Sequence, residues 1–166
     1  MMLKPRSFEA ICKIFRDRIT SVSELKFSIQ TNGTILNDTW LELFREYFVR
    51  VGVSIDGDRE AHDRYRLDHR SQSTFDRTEQ NIRRLVAWAG DEKPLVPATI
   101  SVLDCRNDYR RIYAYLRGLG IEQMSFLLPD RNIDSGFATR EASGKAYGHS
   151  LLEIFEAWLT EDNPDI

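Results

Sequence analysis

The chain has 166 residues, 42% of them hydrophobic and 30% charged, with a formal net charge of −3. That balance excludes a disordered chain and a polyanionic or polycationic tail, and no apolar run approaches the ~20 residues of a membrane span. The start, Met1-Met2-Leu3-Lys4-Pro5-Arg6, lacks the apolar stretch of a secretory signal, so a soluble cytoplasmic protein with no membrane partner is expected.

Phe8, Ile11, Cys12, Phe15 and Ile19 recur at helical spacing and predict an amphipathic helix over about 7–19. Residues 25–29 alternate as a strand and stop at Asn32-Gly33, a turn dipeptide. Asn37 to Thr39 offers an N-cap, and Trp40, Leu43, Phe44 and Tyr47 form a second helical stripe. Residues 48–55 are β-branched and alternating, a second strand that ends at Asp56-Gly57. The polar stretch 58–72 has no period and reads as a long loop. Ser73 is placed to cap a third helix with the stripe Phe75, Ile82, Leu85, Val86 and Ala89, broken at 90–94. Residues 97–103 form the third strand. Asn107 is then placed to cap a helix carrying Tyr109, Ile112, Tyr113 and Leu116, closed by Gly118 and Gly120. The fourth strand runs over 124–128 and ends at Pro129. After a polar loop to about Ser143, a last helix carries Tyr147, Leu151, Ile154, Phe155 and Trp158. One core domain over 1–160 and a frayed acidic tail over 161–166 are expected.

Strand–helix units in succession imply parallel strands, because a parallel pair cannot be joined by a hairpin. The fold class is α/β. An open doubly wound sheet and part of a βα barrel both fit. Four strands fall short of the eight units, about 250 residues, of a complete barrel. A first strand that follows a helix also lacks a neighbour, so a piece of something larger is expected.

In parallel α/β sheets ligands sit at the carboxyl ends of the strands. Here those ends read Gln30-Thr31-Asn32-Gly33, Ser54-Ile55-Asp56-Gly57, Asp104-Cys105-Arg106-Asn107 and Leu128-Pro129-Asp130-Arg131. Turn and cap chemistry accounts for most of these polar residues. Gln30 and Ser54 are different: no turn requires them, and both are placed to hydrogen-bond a ligand across the mouth of the sheet. His62-Asp63-Arg64-Tyr65-Arg66 follows the second strand. An arginine fork there suits a carboxylate or phosphate, and a surface salt-bridge network with Asp63 and Asp68 suits it equally. His62 has a general base's pKa but no identifiable partner, which favours a capping or packing role. Cys12 reads as buried and inert; Cys105 has nothing nearby to lower its pKa. There is no P-loop, GxGxxG, HExxH or GxSxG, and the histidines have no metal-ligand spacing. With 23 basic and 26 acidic residues, nucleic acid is not an expected partner.

Taken together, Phe27-Ser28-Ile29-Gln30-Thr31-Asn32-Gly33, Val51-Gly52-Val53-Ser54-Ile55-Asp56-Gly57, His62-Asp63-Arg64-Tyr65-Arg66 and Thr74-Phe75-Asp76 resemble the middle of a radical SAM enzyme. The subgroup is the SPASM type, which includes anaerobic sulfatase maturases and enzymes that cross-link ribosomal peptides. Ser125-Phe126-Leu127-Leu128-Pro129-Asp130 looks more like the peptide-maturase branch. The resemblance runs from about Leu3 to Trp158. It implies a partial βα barrel holding S-adenosylmethionine on a 4Fe–4S cluster, with cofactor cleavage and hydrogen-atom abstraction from a peptide or protein substrate. By the family's motifs, Ser54 and Arg66 would contact the cofactor, Gln30 and Asn32 would line its pocket, and Leu128 would lie near its adenosyl end. The family's CxxxCxxC cluster motif and its GGEP-type motif have no counterpart here. The expectation is therefore a central piece, inactive by itself. The alternatives are a non-catalytic binding module, a companion subunit of a split maturase, and an unrelated small open-sheet α/β enzyme.

Overall fold

A computed structural model describes residues 3–21, 25–90, 97–130 and 144–161. Its elements run α1 (Pro5–Arg18), β1 (Ser28–Thr31), α2 (Asp38–Glu46), β2 (Arg50–Ser54), α3 (Arg59–Asp63), α4 (Phe75–Ala89), β3 (Ala98–Val102), α5 (Tyr109–Gly118), β4 (Gln123–Leu127) and α6 (Gly144–Thr160). The expected break at 91–94, the polar loop over 131–143 with Arg131, and the tail beyond Glu161 lie outside the described residues.

The four strands pair in parallel in the order β1-β2-β3-β4. Consecutive strands are neighbours throughout, as in an arc of a barrel; a doubly wound sheet would reverse at a switch point. Strand alternation gives the sheet two unlike faces. Val51, Val53, Ile55, Thr99 and Ser101 are buried against the helices. The opposite face carries no helix among the described residues, and small and polar side chains share it with Ile100. Gln30, Gly52, Ala98 and Gln123 share one register row there, with Ser54, Ile100 and Ser125 in the next.

Helical stripes supply the covering layer. Trp40, Leu41, Leu43 and Phe44 of α2, then Ile82 and Leu85 of α4, then Tyr109, Ile112 and Leu116 of α5 are buried. Asn37 caps α2 by accepting from the Trp40 N–H at 3.2 Å, as its position predicts. Two other expected caps shift by one residue. The N-cap of α4 is Thr74, with Ser73 accepting from the Phe75 N–H instead, and that of α5 is Asp108 rather than Asn107. The outer helices are less covered than their stripes suggest. Phe8 and Cys12 of α1 are buried, while Ile11, Ile14 and Phe15 are exposed. On α6, Leu151, Phe155 and Leu159 are exposed and Ser150 is the buried residue. Glu161, expected to begin a frayed tail, accepts hydrogen bonds from Tyr113 Oη and Arg117 Nε at 3.0 Å.

The stretch 58–72 is not a plain loop. Asp58 accepts from the Ala61 N–H and caps the short helix α3, which buries Ala61 and His62. Five helical residues are too few for a hydrophobic period to show in sequence. Gly57 makes the turn into α3 possible: its φ is +129°, and a Cβ there would lie 2.8 Å from Ile112 Cδ1.

No helix among the described residues is long and apolar enough to cross a membrane.

Candidate functional site

The site assembles at the carboxyl ends of β1, β2 and β3. Ser54 closes β2 and is buried; its hydroxyl accepts a hydrogen bond from Gln30 Nε2 at 3.2 Å. The two polar residues singled out within the strands therefore meet. Asp56 lies two residues further on, just beyond the end of β2. It is 5% exposed, and its carboxylate accepts from Arg66 Nε at 2.6 Å and Arg66 Nη2 at 2.8 Å. The same carboxylate accepts from the Val102 N–H at 2.9 Å, which ties the ends of β2 and β3 together.

Paired fork to fork in this way, the guanidinium has a fixed plane. Two of its five N–H groups go to Asp56, and among the described residues the rest have no partner and can meet an anionic or hydroxylated ligand. Arg66 lines two cavities. One, of about 360 Å³, it shares with Asp56, Tyr65, Asp104 and Asp130; the other, of about 560 Å³, it shares with Asn32, Tyr65 and His62. The arginine run thus divides. Arg64 enters a network with Glu60 (2.9 Å), Asp104 (3.2 Å) and Asn107 (2.5 Å). Neither arginine pairs with Asp63 or Asp68 as the salt-bridge reading expects. Asp63 accepts from Ser73 Oγ at 2.7 Å, and Asp68 closes a turn with the N–H groups of Arg70 and Gln72.

Asn32 is exposed at the tip of β1. Its Oδ1 accepts from the Thr34 N–H and hydroxyl, so its first task is to shape the turn. The turn is anchored on α4: Thr78 Oγ1 donates to the Asn32 carbonyl and Asn81 Nδ2 to that of Gly33. Leu128 follows β4 with 61% of its surface exposed, beside Pro129, which lines the smaller cavity.

Asp104 also belongs to the rim. Burial opposes its charge, but hydrogen bonds from Arg106 and Arg64 outweigh that and hold its carboxyl below the usual range. Arg106 bonds to Tyr65 Oη as well, and burial pushes the Tyr109 phenol up to about 12. Asp56 and Asp104 are the residues that sequence reasoning passed over as turn or cap positions. The signal that could have found Asp56 is its two-residue spacing from Ser54.

Both cysteines have thiol pKa values raised by burial. Cys12 is fully buried on α1, and Cys105 follows β3. The chain's two thiols do not provide the three-cysteine set that an iron–sulfur cluster of the CxxxCxxC type requires.

No family model matches the chain. A cysteine-type anaerobic sulfatase-maturating enzyme of Clostridium novyi is 46% identical over 137 residues, which is 81% of this chain and 36% of that protein. A serine-type anaerobic sulfatase-maturating enzyme of Bacteroides thetaiotaomicron is 29% identical over 179 residues, 97% of this chain and 42% of that one. Among solved structures, native anSMEcpe with bound AdoMet and Kp18Cys peptide superposes with a TM-score of 0.81 at 21% identity, covering 95% of this chain and 43% of that chain. The chain thus spans about two fifths of the length of these relatives. Their names place it beside the sulfatase branch, where the stretch Ser125–Asp130 had suggested the peptide-maturase branch. With consecutive parallel strands, the paired tips of β1 and β2 and these relatives in view, the chain belongs to the radical SAM maturases, the family of the anaerobic sulfatase-maturating enzymes.

Proposed function

We propose that the ends of β1, β2 and β3 form part of a binding site for S-adenosylmethionine in an enzyme that modifies a peptide or protein. The observation that carries this reading is the Arg66 guanidinium fixed by Asp56 beside the Gln30–Ser54 pair. The chemistry of the donor set fits the cofactor. A planar cation with three remaining N–H donors suits the methionyl carboxylate. The Ser54 hydroxyl and the Gln30 amide suit ribose hydroxyls, and the small residues Gly52 and Ala98 leave room on the same face. Asn32 and Leu128 are assigned to the pocket's rim. Neighbouring solved structures hold bound AdoMet, and two of them a peptide as well, which supports both the ligand and the substrate class.

When bound at a reduced cluster, S-adenosylmethionine supplies hydrogen-atom abstraction chemistry. The residues here bind and orient it. With two cysteines, this chain does not hold the cluster by itself, and no redox step is assigned to its side chains.

Calorimetric titration of the purified protein with S-adenosylmethionine tests the reading. Binding should weaken at least about tenfold in Arg66→Ala, the scale of one lost charge-assisted hydrogen bond, and by a smaller factor in Ser54→Ala. Wild-type protein that binds no cofactor, or an Arg66→Ala protein that binds it equally well, would overturn the assignment.

A further inference from the structure

His62 is 1% exposed on α3, and its imidazole Nε2 lies 2.9 Å from Thr74 Oγ1. Thr74 Oγ1 lies 2.6 Å from the main-chain oxygen of Arg66. A hydroxyl has one hydrogen and a carbonyl oxygen has none, so Thr74 must donate to Arg66 and accept from His62. The proton of the neutral ring therefore sits on Nε2. Nδ1 is left as a bare lone pair, and it has no partner among the described residues. The main chain adds a second tie: the Arg66 N–H donates to the His62 carbonyl at 3.0 Å. Both peptide groups of Arg66 are thus held by His62, one directly and one through Thr74.

We propose that His62 is a positioning residue, a neutral Nε2–H histidine that with Thr74 fixes the backbone of Arg66 so that its guanidinium meets the cofactor. The proposal rests on the assignment of Arg66 to the S-adenosylmethionine site. An exposed loop arginine would have to be ordered anew at each binding event, and a clamped one is already in place.

The surroundings keep the ring neutral. Facing it are Arg66 on the following loop, Asp56 beyond β2, Asp63 on its own helix, and Thr74 with the edge-on Phe75 ring at the start of α4. Asp68, His69 and Arg77 line the same cavity. Burial, followed by the Arg66 cation, lowers the His62 pKa from its ordinary value, with the two aspartates opposing. A proton on Nδ1 would be a buried donor without an acceptor.

The test uses the whole protein labelled with 15N-histidine, together with Thr74→Val, Thr74→Ser and His62→Phe. The His62 resonances should show the Nε2–H tautomer at pH 7.5, with the neutral form persisting below pH 6.5. Thr74→Val and His62→Phe should each weaken S-adenosylmethionine binding about tenfold, while Thr74→Ser stays within about twofold of wild type, because it keeps the hydroxyl. An Nδ1–H tautomer, a charged ring at pH 7.5, or Thr74→Val binding as wild type would overturn the proposal. Failure of the wild-type protein to bind cofactor would refute the assignment of Arg66 alone. The positioning role would still be decided, in the same variants labelled with 15N-arginine, by the Arg66 Nε–H resonance, sharp in wild type and Thr74→Ser and broadened in Thr74→Val; an equally sharp signal in Thr74→Val would reject it.

Discussion

Arg66 gains its meaning from Asp56. In sequence the two lie ten residues apart, with a turn and a short helix between them, and neither spacing nor residue type pairs them in advance. Folding puts a carboxylate with 7% side-chain exposure against a guanidinium with 25%. Removing one partner of such a pair leaves the other charge desolvated and uncompensated. Asp56→Asn should cost about 2–3 kcal/mol in urea denaturation, toward the low end for buried pairs because Arg66 keeps some solvent. The same variant should weaken S-adenosylmethionine binding, since the fork loses its fixed plane. A stability within about 0.5 kcal/mol of wild type, the range of an ordinary surface change, would show that the pair is not formed.

Among the elements, β3 contains an unspent hydroxyl. Thr99 is fully buried between Val53 and Met124 in register, and its Oγ1 has no hydrogen-bond partner among the described residues. A buried polar atom left unpaired costs the free energy of its lost hydration. Thr99→Val keeps the shape and removes that cost, so it should stabilise the protein by up to about 1 kcal/mol, read as a rise in thermal midpoint. A clear loss of stability would mean that the hydroxyl is paired in solution. Periodicity reads α2, α4 and α5 well because each has a deep apolar stripe against the sheet, so burial and spacing agree. It misses α3, whose five residues are held by the Asp58 cap and by His62 packing. It overstates the burial of α1 and α6, since a stripe shows which face is apolar and not whether anything covers it.

At the scale of the whole molecule, stability should fall in acid in two stages. The folded-state pKa of His62 lies below its ordinary value of 6.5, so the unfolded chain takes up a proton first. Stability therefore declines as pH drops below about 6.5 and levels off once the native ring is also charged. The pKa of Asp104 is likewise lowered from 3.8, so its contribution is fully present above that value and is lost as pH falls through the folded-state pKa. Thermal midpoints measured from pH 8 to pH 3 should be flat above about 7, and the first stage should vanish in His62→Phe. A decline in that variant unchanged between pH 6.5 and 5 would assign the first stage to another group.

The chain's own order of residues was enough for the fold class and for Ser54 and Arg66 as candidates, because alternation, helical spacing and paired motifs are local patterns. It was also enough to limit what the cysteines can do, since counting thiols needs no coordinates. The partners of those candidates were decided by tertiary structure: Gln30 against Ser54, Asp56 against Arg66, His62 through Thr74 to the Arg66 backbone. Such pairings depend on which strand ends and loops the parallel sheet brings side by side, and a hydrogen bond only a few ångströms long joins groups that the chain separates by up to two dozen residues.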